Sequence, residues 1–277
     1  MSTHKIVEFR AQGEGPLIQY FRWLAKQKGW DWTLETHPEF AFDLMDGASA
    51  VKVASALSER ILPQLKVLPT QVRLIQCLDS FFKEDGTWYP RILLYEAMRT
   101  VLVSEARDLD IRAPAFIVGD NEEARAAAFV VAQMGCSEIF LVGETARLQR
   151  QQEILSHSQI GIRFTILPPE ELTMQAVSAG LIVNSVDLSK QKSLLTDLSY
   201  FNFMKRSGYA LDLNLLPAQN LLLEEAEKAE LKVLHPVSIA TAITQLWMKR
   251  LQVNDFQSLE EIRESWIHFL KENSPSV

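Results

Sequence analysis

The sequence predicts an α/β protein that combines a doubly wound parallel sheet with a smaller N-terminal α/β domain. From about residue 113, short apolar runs alternate with helical patterns, whereas the first 105 residues are less regular and two further helical patterns follow Pro236. Such alternation is typical of parallel strands joined by right-handed crossovers. A chain of 277 residues is long enough to bury two cores.

The smaller domain is expected to span residues 1–110. Two strands, "HKIVEFR" and "WDWTLETH", flank the helix "PLIQYFRWLAKQKG", whose apolar residues recur at helical spacing. The stretch "VRLIQCLDSFFKEDGTWY" predicts a hairpin that turns between Glu84 and Gly86. The segment "PRILLYEAMRTVLVSEAR" predicts a long helix with Pro90 in its first turn.

Residues 111–235 are expected to form the larger domain. Its predicted strands are "PAFIVG", "EIFLVG", "IRFTIL", "AGLIVNSV", "GYALDLN" and "ELKVLHP". The first two strands are followed by the helical patterns "EEARAAAFVVAQMG" and "TARLQRQQEILS". This order of elements indicates a Rossmann-type domain.

Two helices in residues 236–277 are expected to complete the smaller domain. The segments "VSIATAITQLWMKRL" and "SLEEIRESWIHFLKEN" each have an apolar face that can pack on the body of the protein. The second helix opens with a capping box from Ser258 to Glu261, in which each side chain can satisfy a backbone N–H of the first turn.

Composition excludes several classes of function. A net charge of −7 leaves no large basic surface for nucleic acid. No apolar run approaches the roughly 18 residues of a membrane span, and the start lacks the apolar core of a signal peptide, so a cytoplasmic protein is expected. Cys77 and Cys136 are expected to be buried, reduced thiols. The five histidines include no H-x-x-x-H spacing, so no metal site is expected.

The stretch "FIVGDNEEARAA" has nearly the spacing of a dinucleotide-binding turn, whose three fingerprint positions are Gly119, Asn121 and Ala124. The middle position normally holds a glycine that lets the backbone approach the pyrophosphate. Asn121 tolerates a left-handed backbone, but its side chain occupies that space.

Three carboxylates, those of Asp120, Glu122 and Glu123, surround the same turn and oppose an anionic ligand. Two unit charges about 4 Å apart interact by about 4 kcal/mol near a protein surface. Asp120 and Glu123 also have the spacing of an N-cap and the third helical residue, which predicts that the helix is capped by its own chain.

The segment from about residue 110 to residue 250 resembles the shikimate dehydrogenase family. The resemblance lies in the turn after Gly119, in "LIVNSV", in "YALDLN" and in "NLLLEEAEKAELKVLHPVSIA". It implies a substrate domain split around a cofactor domain. It also implies reduction of 3-dehydroshikimate by a nicotinamide cofactor, with a Lys and an Asp at the reacting hydroxyl and with Ser and Asn side chains on the ring.

Matched to that family, the chain lacks the catalytic groups. The serine pair before a proline falls on Gly13 and Gly15, ahead of Pro16, and the lysine falls on Ser58. The Asn-Thr-Asp positions hold the apolar side chains of Ile92, Leu93 and Leu94, and the C-terminal glutamine falls nearest Ile243, with Gln245 two residues on. Charged residues nearby that could substitute are Lys52, Asp79 and Asp85, each of which is expected to be a solvated surface charge.

The resemblance also marks vestigial cofactor positions, namely Gly119, Asn121, Ala124, Glu144 and Asn184. The arginine that selects NADP is replaced, because the family's Asn-Arg-Thr becomes Gly143, Glu144 and Thr145. Glu144 stands near the position of an acid that binds the ribose hydroxyls of NAD. If any cofactor binds, NAD is therefore expected rather than NADP.

The favoured hypothesis is a shikimate dehydrogenase-like pseudoenzyme that has lost cofactor binding and catalysis and binds a small molecule or a protein partner. The alternative is an NAD-dependent oxidoreductase with an altered substrate. A third hypothesis is a structural or regulatory subunit that acts through its surface. Homodimerisation is a general expectation for such proteins.

Overall fold

The computed structural model describes residues 3–256 and 258–273. Contacts divide the chain into two compact units, one formed by the residues up to Ala97 together with those from Ala240 onward, and one formed by Met98–Ile239. The sequence suggests boundaries near residues 110 and 236, whereas this division falls inside two helices. Residues 257 and 274–277 of the expected C-terminal segment lie outside the described residues.

The first unit is built on a five-stranded sheet in the order β2-β1-β3-β4-β5 within the described residues. The first three strands are parallel, and β4 and β5 form an antiparallel hairpin. The strands are β1 (His4–Phe9), β2 (Trp32–His37), β3 (Ala50–Val53), β4 (Ser80–Glu84) and β5 (Thr87–Arg91), and the helices are α1 (Pro16–Lys28), α2 (Ser58–Ile61), α3 (Thr70–Ile75) and α4 (Leu93–Glu105).

Local sequence explains the bounds of α1 and of the hairpin. Proline at the first helical position starts α1 at Pro16, and Gly29 ends it in the left-handed conformation at φ 66°. Asp85 and Gly86 both have positive φ, as a two-residue type I′ turn requires. The hairpin turn is thus where the sequence predicts it.

Two sequence expectations in this unit are wrong. Pro90 lies in β5 opposite Phe81 and not in a helix, because the hairpin continues to Arg91 before α4 begins at Leu93. The start of the predicted hairpin, from Val72, is the helix α3. Strand β3, which the sequence does not mark clearly, is the centre of the sheet.

The second unit holds a six-stranded parallel sheet among the described residues, in the order β11-β10-β9-β6-β7-β8. This is the doubly wound order of a Rossmann-type domain, as predicted. The strands are β6 (Ala115–Val118), β7 (Glu138–Val142), β8 (Arg163–Leu167), β9 (Ala179–Asn184), β10 (Met204–Asp212) and β11 (Lys232–Leu234), and the helices are α5 (Glu122–Gln133), α6 (Thr145–Ser158), α7 (Lys192–Ser199) and α8 (Leu221–Lys228).

The apolar runs and the alanines of the second unit form its core. All four residues of β6 and all six of β9 are buried, which explains why their sequences are continuous apolar runs. The consecutive alanines 126–128 of α5 are fully buried, and their small side chains let the helix lie close to the sheet. The two cysteines are buried, as expected.

The C-terminal helices are α9 (Pro236–Leu251) and α10 (Leu259–Asn273). In the first unit, the indole of Trp266 in α10 stacks on Tyr20 in α1 with ring centroids 3.8 Å apart. The Ser258 hydroxyl accepts the Glu261 N–H, which is one half of the predicted capping box. In the described part of the chain, no helix combines the length and apolarity needed to cross a membrane.

Candidate functional site

The turn between β6 and α5 lies at the topological switch point of the second unit. From β6 the sheet continues to β7 and β8 on one side and to β9, β10 and β11 on the other. In open α/β sheets, ligands bind outside the carboxyl ends of the strands at this point. The residues that follow β6 and β9 therefore line the place where a ligand of this sheet would bind.

Gly119 has φ 125°, a backbone conformation that L side chains rarely adopt. A Cβ atom at this position would lie 2.1 Å from Ser185 Oγ. The glycine is thus required both by the backbone and by the close approach of the residue that follows β9. Its place in the fingerprint fits the fold without reference to a ligand.

Asn121 caps α5, and its side chain also bonds to the turn after β9. Its Oδ1 accepts the Ala124 N–H at 2.8 Å, and its Nδ2 donates to the Ser185 carbonyl oxygen at 3.1 Å. Ser185 Oγ lies 2.9 Å from both Asn121 Oδ1 and the Val118 carbonyl oxygen, so its single hydrogen can serve either acceptor. The Asn121 amide thus spans the carboxyl ends of β6 and β9.

One expectation about this turn is corrected, and a backbone conformation that the sequence allows is not adopted. The N-cap is Asn121 and not Asp120, so Glu123 is the second and Ala124 the third helical residue. Asn121 has φ −100° and is not left-handed, because Gly119 alone provides the positive φ of the turn. Ala124 is buried, as its place in the fingerprint predicts, and its N–H donates to Asn121 Oδ1.

Asn121→Ala is expected to cost about 2–3 kcal/mol of the free energy of unfolding. A lost N-cap costs about 1 kcal/mol, and the bonds to Ser185 add about 1 kcal/mol each. Ser258→Ala is the matched control, because it removes the cap of α10 alone. Urea denaturation of both variants measures the difference, and equal losses would contradict the bridging role of Asn121.

The acids near the turn are partly neutralised by Arg147 in α6. Its Nη1 lies 3.6 Å from Asp120 Oδ1 and its Nε lies 3.2 Å from Glu144 Oε2. Glu144 is the N-cap residue of α6, but its side chain makes no capping hydrogen bond. The Arg147 side chain is 67% exposed, so these ion pairs contribute little to stability. They do place the three charges side by side between the ends of β6 and β7.

Asn184 lies in a buried polar network at the ends of β9 and β10. Its Nδ2 donates to Asp212 Oδ2 at 2.9 Å and to the Val186 carbonyl oxygen at 2.8 Å. Asp212 Oδ1 accepts from both the backbone N–H and the Nδ2 of Asn214 at 2.8 Å. Burial raises the pKa of Asp212, although these hydrogen bonds act in the opposite direction. Asn184 therefore orders the loops after both strands.

In the first unit, the positions that the sequence resemblance aligns with the family's catalytic groups hold packed or backbone-bonded side chains. Ser58 is fully buried and its hydroxyl both accepts the N–H and donates to the carbonyl oxygen of Leu78, at 3.1 Å each. Ile92 and Leu93 are buried at the start of α4. On α9, Gln245 is exposed and Ile243 is partly buried.

Asp79 is not the surface charge that the sequence suggests. It is buried because its carboxylate caps α4, with Oδ1 accepting the Leu93 N–H and Oδ2 accepting the Leu94 N–H, both at 2.9 Å. The Lys52 ammonium donates to the backbone carbonyl oxygens of Val53 and Asp79. The two charged groups that could have replaced a catalytic pair are thus bonded to the backbone.

Gly13 and Gly15, which the sequence resemblance aligns with the family's serines, lie at the start of α1. Gly15 is the N-cap residue and provides no side-chain cap. Its N–H donates to Oε2 of the fully buried Glu8 at 2.9 Å. Glu8 is not among the predicted site residues, although a charged residue inside the apolar strand "IVEF" is a signal of a buried, paired group.

Comparisons with known proteins agree with this architecture. None of the known family models matches the chain. The chain is 21% identical to a shikimate dehydrogenase (NADP(+)) of Synechocystis sp. over 238 residues. This match covers 82% of this chain and 79% of that protein. At such identity the relationship is distant.

Solved structures resemble the whole chain. Quinate dehydrogenase from Corynebacterium glutamicum in complex with NAD has a TM-score of 0.75 at 11% identity, covering 96% of this chain and all of that one. Shikimate 5-dehydrogenase from Thermus thermophilus in complex with NADP(H) and shikimate has a TM-score of 0.71 at 18% identity, covering 98% of this chain and all of that one. The two-domain fold of these enzymes is thus the fold of this chain.

Proposed function

We propose that this chain, a divergent relative of the shikimate dehydrogenases, has kept their fold without their chemistry and acts as a non-catalytic protein that binds a small ligand or a protein partner. The observation that carries the proposal is the bridge between Asn121 and the residue Ser185 at the switch point.

The bridge works against a dinucleotide in two ways. A pyrophosphate bound to a Rossmann turn needs free N–H groups at the start of the helix and a close approach to the backbone. The Ala124 N–H is already bonded to Asn121, and the Asn121 side chain fills the space that a glycine would leave. Breaking two or three such bonds costs about 2–3 kcal/mol, which is roughly a hundredfold in affinity.

The charges near the turn support the same proposal. Asp120, Glu122 and Glu123 add negative charge beside the place of a pyrophosphate, and Arg147 pairs with Asp120 at 3.6 Å. In the first unit, Asp79 and Lys52 are bonded to the backbone and do not offer a free acid and base. The alternative, an NAD-dependent enzyme with an altered substrate, would need an acid and a base other than Asp79 and Lys52.

Nucleotide titration tests the proposal. Calorimetry and NADH fluorescence are expected to detect no binding of NADH or NADPH at micromolar concentrations, and no oxidation of shikimate or quinate is expected with either cofactor. Binding of either nucleotide by the wild type in the micromolar range would refute the proposal.

A variant with Asn121→Gly and Ser185→Ala provides the matched control. It restores the glycine of the fingerprint and removes the hydroxyl that faces it. If these two side chains exclude the cofactor, the variant binds NADH at least tenfold more tightly than the wild type. Unchanged binding in a folded variant would show that the bridge is not the obstacle.

A further inference from the structure

A cavity of about 550 Å³ opens between the end of α9 and the start of α10, and it is named the α9–α10 cavity. Both helix ends belong to the first unit, which builds the cavity alone. Pockets that bind small molecules usually have volumes of about 300–1,000 Å³. The α9–α10 cavity is therefore large enough to hold a small ligand.

The end of α9 forms one wall of the cavity. Gln252 follows the helix in the left-handed conformation, at φ 57°, and reverses the direction of the chain. The Val253 N–H then donates to the Met248 carbonyl oxygen at 2.9 Å, which holds the reversed chain against the helix end. The next helix begins at Leu259. The cavity is thus the space that this reversal leaves between the two helices.

The floor of the cavity is apolar. Met248, Val253 and Ile262 line it and are only 3–8% exposed. Two further lining residues add apolar surface nearer to the solvent, since Phe256 is half-buried and Leu259 is 46% exposed. Covering such surface removes it from water, which favours binding. The floor therefore fits a ligand with a hydrocarbon chain or ring.

The charge of the cavity lining is positive. Lys249 is the charged member of the described lining, and it is exposed in the last turn of α9. Two acids that lie close to the lining in sequence face other partners. Asp255 Oδ2 accepts Trp30 Nε1 at 2.5 Å, and Glu261 Oε1 lies 3.3 Å from Lys28 Nζ. An anionic group beside Lys249 would therefore meet a cation and no carboxylate of the lining.

We propose that the α9–α10 cavity binds a small amphiphilic carboxylate, whose hydrocarbon part covers Met248, Val253 and Ile262 and whose charge faces Lys249. The proposal goes beyond the proposed function, because the site lies in the first unit and does not depend on whether the turn after β6 binds a nucleotide. A neutral ligand of the same shape lacks the ion pair, and an amine of the same length is repelled by Lys249.

Octanoate is the probe for this site, and octylammonium is the matched control of opposite charge. Calorimetry is expected to detect saturable binding of octanoate to the full chain, about fivefold or more tighter than that of octylammonium. From hexanoate to decanoate, the affinity is expected to rise about two- to fourfold for each CH₂ group that the floor covers. No saturable binding of octanoate at millimolar concentrations, or equal binding of the two probes, would overturn the proposal.

Methionine methyl resonances locate the bound probe. Met248 in the floor is 4% exposed, whereas Met174 in the second unit is 70% exposed. In protein labelled at its methionine methyl groups, octanoate is expected to shift the Met248 signal, assigned with Met248→Leu, and to leave the Met174 signal unchanged. If octanoate shifts the Met174 signal as much as that of Met248, the probe coats exposed apolar surface and the proposal is wrong.

Lys249→Met removes the charge of the lining and keeps most of the hydrocarbon stem. It is expected to weaken octanoate binding about three- to fivefold and to reduce the preference for octanoate over octylammonium. Lys271→Met is the matched control, because it removes an exposed lysine from the last turn of α10. It is expected to leave both affinities unchanged. Equal effects of the two substitutions would show that net charge, and not Lys249, attracts the probe, which contradicts the proposal.

Leu259→Asp provides the reversed charge. Leu259 is exposed in the first turn of α10, where an acid is favourable to the helix, so the variant is expected to fold. It is expected to bind octylammonium more tightly than octanoate. An unchanged preference for octanoate would show that this lining is not the site. None of these measurements uses a nucleotide, so the carboxylate site can fail while the cofactor proposal stands.

Discussion

Gly119→Ala is expected to lower the free energy of unfolding by about 2–6 kcal/mol. Strain at a positive φ accounts for about 1–3 kcal/mol, and forcing an extra methyl group into a packed place adds about 1–3 kcal/mol. The structural reason is the φ of 125° together with a distance of 2.1 Å from the new Cβ to Ser185 Oγ. Urea denaturation followed by circular dichroism measures the loss.

Two variants separate the strain from the contact. Gly161 has φ 84° and open space around the Cβ position, so Gly161→Ala should cost the strain alone. Adding Ser185→Ala to Gly119→Ala removes the hydroxyl that the methyl group meets, so the double variant should recover part of the loss as a positive coupling. If Gly119→Ala costs no more than Gly161→Ala, the close approach of the two turns is refuted.

Asn184→Asp is expected to lower stability by about 3–5 kcal/mol at pH 7, because it leaves two buried carboxylates without a donor between them. The Asn184 Nδ2 and Asp212 Oδ2 atoms are 2.9 Å apart, and Asp212 is only 3% exposed. Burial already raises the pKa of Asp212, and a second carboxylate at this distance raises it further.

The sign of the pH dependence follows from linkage. A native carboxyl whose pKa is raised holds its proton at pH values where the unfolded chain has released it, so stability falls as the pH rises through that interval. Asn184→Asp should therefore be least harmful near pH 4 and increasingly harmful toward pH 7. Denaturation curves at several pH values measure this slope, which should exceed that of the wild type.

The exchanged pair provides the control for this prediction. Combining Asn184→Asp with Asp212→Asn restores one donor and one acceptor between the two strand ends, so it should recover part of the stability and remove the added pH slope. If the exchanged pair and the single variant show the same pH dependence, the slope arises elsewhere in the protein.

The sequence predicts the fold of the second unit well because its strands are buried on both faces. Continuous apolar runs such as those of β6 and β9 leave little choice of structure. In the first unit, the sequence wrongly predicts a helix at Pro90, because the helical pattern of α4 begins only two residues after the end of β5. Strand β5 is at the edge of its sheet, where the missing N–H of proline is tolerated.

The candidate site is only partly predictable for a different reason. Gly119 and the fingerprint spacing depend on neighbours along the chain, and they are found from the sequence. Ser185 lies 64 residues from Asn121, and only the pairing of β6 with β9 makes them neighbours. The N-cap of α5 is also ambiguous in the sequence. Asp120 and Asn121 are both favourable N-cap residues, and their spacing from the helix does not show which of them caps it.

The sequence by itself determined the α/β class and the doubly wound parallel sheet of the second unit. Tertiary structure alone decided the partners of the polar side chains at the strand ends and helix starts. Asn121 bonds to Ser185, Asp79 caps α4, and Glu8 occupies the start of α1. The physical reason is that hydrophobic periodicity is a local property of the chain, whereas the partner of a buried polar group is set by which distant segments the sheet brings together.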